Sequence, residues 1–154
     1  MADIAAIINL VNAFAASYSL EDADKSVKAL LALFTEDASF TEELVGGSCA
    51  GKAEIESALQ ELAALKFLAD TRHLPSGHVV ELADAEHATV VSNTTVFWKC
   101  APVMIVKWTD AVVKRDGKWQ FQKRTADAVQ KNLEMIGEMQ LRGKKQYAHS
   151  DTEA

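Results

Sequence analysis

Two long stretches of alternating side chains in the middle of the chain restrict what it can fold into. Residues 89–98 and 103–113 are rich in β-branched and aromatic types, and each has the two-residue period of a strand. Ala101-Pro102 joins them, and a third run opens after Asp116-Gly117, the strongest short hairpin signal in the sequence. These runs predict a meander of long antiparallel strands.

The run over residues 103–113 carries an acid on an apolar face. Its alternation places Asp110 on the same face as Trp108. A carboxylate among large apolar side chains is costly unless it is paired or used, so Asp110 is a candidate catalytic or binding group. It could equally form a structural ion pair with one of three basic residues, Arg72, Lys123 or Arg124.

The length and charge of the chain exclude several classes of protein. A chain of 154 residues forms one domain with its own core, which we place at residues 1–143, followed by a polar tail at 144–154. The formal charge of -6, without a basic stripe, argues against nucleic acid or an anionic membrane as a partner. The N-terminus lacks the pattern of a signal peptide, and no apolar run approaches the roughly 20 residues of a membrane span. We therefore expect a soluble cytoplasmic protein.

The cysteines and histidines give no metal signature. Cys49 and Cys100 are too few for a disulfide framework and are not spaced for zinc, so we expect two free thiols. A turn-like segment, Pro75-Ser76-Gly77, separates His73 from His78, and no acid is placed to complete a metal triad. We expect neither a metal nor a cofactor.

Helical spacing is found before and after the strands. The first helix has an apolar stripe that starts at Ile4 and ends at Tyr18, which therefore points inward. A second helix is capped by Asp22 or Asp24, and a third covers about residues 52–68. The C-terminal helix is predicted over residues 129–139, with Val129, Leu133 and Ile136 on its apolar side; we expect it to cover a pocket mouth or a dimer face.

Shorter segments connect these elements. Residues 38–40 read as a short strand and residues 44–51, which hold three glycines, as a loop with Glu42 at its mouth. Residues 78–82 are predicted to pair with the strand that opens at residue 89. The order of helices followed by a meander predicts an α+β fold in which helices cover one face of a mostly antiparallel sheet. Such a sheet can enclose a pocket against its helices.

Several stretches resemble the SnoaL-like branch of the nuclear transport factor 2-like superfamily. The resemblance spans about residues 4–128 and depends on five segments in order, residues 31–38, 51–55, 71–73, 108–110 and 115–119. It implies a cone-shaped α+β barrel of the cystatin-like type, with a deep pocket. The superfamily includes cofactor-independent cyclases, isomerases, dehydratases and epoxide hydrolases, and also proteins without catalytic activity, so the fold alone does not give the function.

Two enzyme families of this superfamily suggest roles for individual residues. Tyr18 and His73 are similar in position to the catalytic Tyr and His of scytalone dehydratases. Other dehydratase positions differ: Ser19 replaces an acid and Phe40 a second Tyr, while Trp98 lies near the position of a second His. The Ser and Asn of a later strand fall near Val106 and Trp108. By another alignment, Glu42 lies where ketosteroid isomerases carry their general-base Asp.

The candidate catalytic residues have structural alternatives. His73 could titrate near neutrality in the pocket, or it could be hydrogen-bonded to the backbone. Tyr18 could polarise a substrate carbonyl, or it could complete the core stripe of the first helix. We predict that Tyr18, His73 and Asp110 converge in a water-poor cavity. The substrate-contacting residues are expected to be Phe14, Phe40, Glu42, Trp98, Val106 and Trp108.

The sequence thus favours a cofactor-independent isomerase, cyclase or dehydratase. It would act by acid-base proton transfer on a small apolar carbonyl compound, such as a polyketide or terpenoid intermediate of secondary metabolism, with His73 or Asp110 as the base. We expect a homodimer. The alternative is a non-catalytic module on the same fold that binds a small ligand or assembles with another subunit.

Overall fold

The computed structural model describes residues 1–18, 20, 22–42, 47–65 and 70–139. Its helices are α1 (Ala2–Ser17), α2 (Ala23–Leu31) and α3 (Lys52–Ala64). Its strands are β1 (Phe34–Glu42), β2 (Gly47–Ala50), β3 (Thr71–Leu82), β4 (His87–Trp98), β5 (Ala101–Arg115) and β6 (Lys118–Lys131). Residues 133–139 are helical as well.

The six strands form one sheet in the order β2-β1-β6-β5-β4-β3. All neighbouring pairs are antiparallel except β1 and β6, which run parallel. This arrangement puts β5 and β6 in the middle of the sheet and β3 at an edge. The predicted α+β fold with a mostly antiparallel sheet is therefore confirmed.

Helices cover one face of the sheet, and the burial of the strands follows from this. In β4 every second residue from Ala88 to Trp98 is buried, while the residues between them are exposed or partly exposed. Phe14 of α1 contacts the rings of Phe34, Phe121 and Trp108 on that covered face. The alternation of side chains along the strand thus indicates which face of the sheet the helices bury.

The helices start where the sequence indicates but differ in extent. The side chain of Asp22 accepts a hydrogen bond from Lys25 N and so caps α2. Ile4 is more than one third exposed, so the apolar stripe of α1 begins effectively at Ile7. Helix α3 ends at Ala64, and the predicted continuation over residues 66–68 lies outside the described residues.

One predicted strand is longer than expected, and part of one predicted loop is a strand. The short strand predicted at residues 38–40 extends over the whole of β1, and Gly47–Ala50, which we expected in a loop, pairs with it as β2. Residues 44–46 of that predicted loop are not described. Pairing with β1 overrides the local turn signals at Gly47–Ala50.

The predicted turn at Pro75-Ser76-Gly77 is also wrong, because these residues continue strand β3. The pairing register shifts between Ser76 and Val79, and Gly77 has a φ of +61°. A bulge therefore accommodates the glycine, and the edge position of β3 accommodates Pro75, since a central strand would need its missing N–H.

Two tight turns shape the meander. Asp116-Gly117 forms the predicted hairpin turn, with φ values of +51° and +77°. The turn between β4 and β5 lies at Lys99-Cys100, with φ values of +50° and +62°, rather than at Ala101-Pro102, which belongs to β5. The second turn is not visible in the sequence because neither lysine nor cysteine favours a left-handed backbone.

The C-terminal helix begins later than predicted. Val129 lies in β6 and is exposed, as is Leu133, so neither is on a buried helical stripe. Instead Asn132 Oδ1 accepts a hydrogen bond from Met135 N and caps the segment. Met139 is buried in the core, and Met135 and Ile136 pack against the same core. The predicted tail at residues 144–154 lies outside the described residues.

This packing predicts unequal effects of the same substitution within one helical segment. Met139→Asp should lower the free energy of unfolding by about 2 to 4 kcal/mol, because it removes a buried apolar side chain and buries a carboxylate. Leu133→Asp is the matched control, since Leu133 is 74% exposed and should change stability by less than about 0.5 kcal/mol. Urea unfolding of both variants measures the difference. Equal effects would mean that residues 133–139 do not pack on the core.

Candidate active site

A buried arginine lies at the centre of the covered face. Arg124 is 1% exposed, and its Nη1 donates a hydrogen bond of 2.6 Å to Oδ2 of Asp110, the residue paired with it across β5 and β6. Asp110 is equally buried. Of the alternatives that the sequence left open for Asp110, the structure shows the ion pair with Arg124. Because a buried guanidinium keeps its proton, the carboxylate provides its countercharge.

Aromatic rings surround this arginine. Its guanidinium carbon lies 4.2 Å from the ring centre of Phe14, 4.1 Å from that of Trp108 and 4.4 Å from that of Phe121. Phe40 stacks on Trp108 at an interplanar angle of 13°. These rings partly stabilise the cation through their π faces. They also exclude water from the ion pair, which strengthens electrostatic interactions nearby.

Tyr18 and His73 form a second pair at this face. Tyr18 follows the last turn of α1, which packs against β3, where His73 is located. The two ring centres are 4.2 Å apart, and Tyr18 is only 2% exposed. Nδ1 of His73 is buried and has no hydrogen-bond partner. The imidazole of His73 is thus held against the ring of Tyr18 with a nitrogen free to form a hydrogen bond.

Glu42 supplies a third polar group. It is the last residue of β1 and is only 9% exposed, and its Oε2 has no hydrogen-bond partner. The sequence placed it at the mouth of a loop, but pairing of β1 with β2 carries it into the interior. Electrostatic interactions connect Glu42 with both Arg124 and Tyr18.

Burial shifts the pKa values of these groups in a common direction, toward their neutral forms. Desolvation raises the pKa of Glu42 to about 7 and that of Asp110 to about 6, while the positive charge of Arg124 opposes both shifts. Burial, and to a smaller degree the carboxylate of Glu42, raises the pKa of Tyr18 well above its usual range. At neutral pH Asp110 is therefore mostly ionised, and Glu42 is divided between its two forms.

The prediction that His73 titrates near neutrality is wrong. Burial, assisted by the positive charge of Arg124, lowers the pKa of His73 to about 3. The imidazole is consequently neutral at physiological pH and carries one N–H and one free nitrogen.

The remaining predicted contact residues also lie on the covered face. Val106 and Trp98 are buried, and cross-strand pairing places Val106 opposite Thr94 and Trp98 opposite Thr71 of β3. Lys99 Nζ lies 4.1 Å from the ring centre of Trp98. Trp98 is thus at the end of β4, four inward-facing positions from Val90, which pairs with Asp110.

Arg124 is the site residue whose position the sequence did not fix. Trp119 and Phe121 face inward, so strict alternation along β6 would point Lys123 inward and Arg124 outward. The register shift between Ala111 and Val112 inserts Gln122 as an unpaired residue and reverses the alternation beyond it. The available signal was the need of Asp110 for a countercharge, which did not distinguish between the neighbouring basic residues.

A groove elsewhere in the described part of the protein offers less chemistry than the covered face. A groove of about 550 Å³ lies between the start of β5 and the end of β6, but the described residues that line it include no acid and no histidine. Across the described ranges, no three His, Cys, Asp or Glu side chains are grouped to hold a metal ion. Within the same ranges, none of the helices is both long and apolar enough to cross a membrane.

Comparison with known families agrees with the resemblance seen in the sequence. Residues 1–125 match the model of the SnoaL-like domain. The chain belongs to the SnoaL-like domain family. No curated protein matches the sequence.

Solved structures share the fold of this SnoaL-like domain. A protein of unknown function with a cystatin-like fold from Nostoc punctiforme is 25% identical, with a TM-score of 0.71 over 82% of this chain and 90% of that one. The hexachlorocyclohexane dehydrochlorinase LinA-type3 from Novosphingobium barchaimii is 17% identical, with a TM-score of 0.70 over 85% and 89%. A candidate scytalone dehydratase from Novosphingobium aromaticivorans is 18% identical, with a TM-score of 0.66 over 84% and 85%.

The protonation state of Glu42 makes the stability of the SnoaL-like domain depend on pH. Its pKa is raised from 4.5 to about 7, so the folded state holds this proton more tightly than the unfolded state does. The resulting stabilisation is complete below about pH 4.5 and is lost as the pH rises through 7. Glu42→Gln cannot ionise, so its stability relative to the wild type should increase between pH 5 and pH 8 by up to about 3 kcal/mol.

Urea unfolding at both pH values measures this change. Glu56→Gln serves as the control, because Glu56 is exposed on α3 and its replacement should leave the pH dependence of the wild type intact. A Glu42→Gln variant with the pH dependence of the wild type would show that Glu42 is ionised in the folded protein throughout this range.

Proposed function

We propose that the protein is a cofactor-independent isomerase, cyclase or dehydratase that removes a proton next to the carbonyl of a small, largely apolar compound. The observation that carries this proposal is the ring contact of Tyr18 with a neutral His73, together with the buried and unpartnered carboxyl of Glu42. A polyketide or terpenoid intermediate has the required combination of carbonyl oxygen and apolar surface.

Each polar group has a distinct role in this proposal. The phenol of Tyr18 and an N–H of His73 donate hydrogen bonds to the substrate carbonyl oxygen, where negative charge develops as the carbon loses its proton. Glu42 accepts that proton, because its pKa of about 7 suits a base that works near neutrality. The proton then returns to another carbon in an isomerisation, or a hydroxyl leaves in a dehydration.

Asp110 takes a different role from the base that the sequence suggested. One of its oxygens is bound to Arg124, and the charge of this guanidinium needs a countercharge. Asp110 therefore acts as a positioning residue for Arg124. The positive charge of Arg124 in turn favours the ionised form of Glu42 and opposes protonation of His73.

Three similarities support the chemistry. The chain belongs to the SnoaL-like family, and structures of its fold include LinA, which carries the name of a dehydrochlorinase, and a candidate scytalone dehydratase. Both names describe eliminations. The competing function is a binding or assembly module without catalysis. It would not explain why the polar groups of the site are buried without hydrogen-bond partners.

Hydrogen exchange tests the proposed proton transfer without knowledge of the natural product. The methyl protons of acetophenone lie next to its carbonyl, and NMR in D₂O follows their replacement by deuterium. We expect the wild type to accelerate this exchange, and Glu42→Gln, His73→Ala and Tyr18→Phe each to reduce the acceleration by at least about tenfold. His87→Ala is the control and should retain the full rate, because His87 is exposed at the first position of β4.

The variants also distinguish the assigned base from its neighbours. With Glu42 as the base, the exchange rate should fall as the pH drops below about 7, and Glu42→Gln should abolish this dependence. A wild type without any acceleration, or three site variants that all match it, would leave the binding module as the better proposal.

We also propose that the protein forms a homodimer through the outer face of its sheet. Leu74 and Val79 of β3 are 61% and 57% exposed, and they pair with Thr95 and Val91 on the face opposite the helices. Exposed apolar side chains that share one sheet face are typical of an association surface.

Light scattering after size-exclusion chromatography tests this surface. The wild type should have about twice the monomer mass of 16.8 kDa, and Leu74→Glu with Val79→Glu should elute as a folded monomer. Ala53→Glu, which adds a charge on exposed α3, is the control and should leave the mass unchanged. A monomeric wild type, or a charged double variant that stays dimeric, would contradict the proposed surface.

A further inference from the structure

We infer that Ser92 is a substrate-binding residue of this site, and that the substrate therefore carries a second oxygen substituent in addition to its carbonyl. This inference rests on the proposed function for the identity of the first oxygen. It adds a specificity-determining contact on β4, at the position paired with Trp108.

Ser92 is a buried hydroxyl without a partner. The residue is 0% exposed, and its Oγ makes no hydrogen bond. A hydroxyl in this situation destabilises the folded protein, since it has lost its water and gained nothing in exchange. Buried polar groups of this kind are uncommon and call for an explanation such as a missing ligand.

The register of the sheet places Ser92 within the site. It pairs with Trp108, whose ring lies against the guanidinium of Arg124, and the next inward position of β4 is Val90, which pairs with Asp110. Ser92 therefore lies one strand away from the aromatic ring that covers the ion pair. Its side chain is on the face of the sheet that the helices cover.

The same register separates Ser92 from His73. His73 pairs with Val96, which is four residues from Ser92 along β4. Four residues span about 13 Å between Cα atoms in a flat strand, and curvature and side-chain length shorten the distance that a ligand must cover. A compound of one or two rings can place a carbonyl near His73 and a hydroxyl near Ser92.

Another unpartnered serine shows that burial alone does not mark the site. Ser26 is also 0% exposed, and its Oγ also makes no hydrogen bond, but it belongs to α2, whose main contacts are with α3 and α1. Ser26 thus matches Ser92 in amino-acid type, burial and lack of a partner. It differs in position only, which makes it the control for every measurement on Ser92.

The first measurement is the thermal stability of the free protein. Ser92→Ala removes a hydroxyl that has no partner, so the melting temperature should rise by about 2 to 4 °C, and Ser26→Ala should raise it by a similar amount. A melting temperature that falls in Ser92→Ala would overturn the inference, because it would show that the hydroxyl already has a stabilising partner in the free protein.

The second measurement is binding of two pairs of ketones that differ by one hydroxyl. Acetophenone is compared with 4-hydroxyacetophenone, and 2-acetylnaphthalene with its 6-hydroxy derivative, by titration calorimetry at pH 7. In at least one pair the wild type should bind the hydroxylated ketone about five- to tenfold more tightly. Ser92→Ala should reduce this ratio to about one, whereas Ser26→Ala should preserve it.

The outcomes separate this inference from the proposed function. A hydroxyl preference that survives in Ser92→Ala, or no preference in the wild type for either pair, overturns the role of Ser92 even if proton exchange is catalysed. A preference that depends on Ser92 supports the inference even if no exchange is observed. Absence of binding by all four ketones would overturn the oxygenated-ketone class itself.

Discussion

The charge of Arg124 is the constraint on which the rest of the site depends. A guanidinium in the interior keeps its proton, and leaving it buried without a partner would cost several kcal/mol, a large part of the roughly 5 to 15 kcal/mol by which a domain is stable. Asp110 neutralises it through a single hydrogen bond, and three aromatic rings cover it. Because these rings come from α1, β5 and β6, the ion pair is stable only when helix and sheet are packed together. The covered face of the sheet therefore serves both as the hydrophobic core and as the candidate active site.

The charge of Arg124 acts on two buried carboxyl groups, those of Asp110 and Glu42. Asp110 is bound to Arg124, so Glu42 is the carboxyl whose ionisation would leave an excess negative charge. Burial raises its pKa to about 7 against the opposing charge of Arg124, so its proton is exchangeable near neutrality. The pKa of His73 is lowered, first by burial and then by the positive charge of Arg124, so the imidazole stays neutral. Burial thus keeps the imidazole neutral with the help of Arg124, while the same arginine limits how far burial raises the pKa of the carboxyl.

The fold was more predictable than the site because strand alternation and helical spacing depend on many residues at once. The hairpin at Asp116-Gly117 and the cap at Asp22 follow from the chemistry of single residues. Arg124 could not be oriented in this way, because the bulge at Gln122 reverses the inward face of β6 and leaves no trace in residue type. The burial of Glu42 depends likewise on the pairing of β1 with β2. Tyr18 and His73 were selected by resemblance, but their mutual contact depends on the packing of α1 on β3.

A single carboxyl that both takes and returns the proton would restrict the stereochemistry of the proposed reaction. Because its pKa is strongly raised, Tyr18 donates a hydrogen bond near neutrality but does not release its proton. His73, with a pKa of about 3, stays neutral and does not take up the substrate proton. Under the proposed function, Glu42 would accept the proton on one face of the substrate and could deliver it only to atoms on that same face. The reaction would then be suprafacial when it is an isomerisation, and syn when it is an elimination in which Glu42 also protonates the leaving hydroxyl.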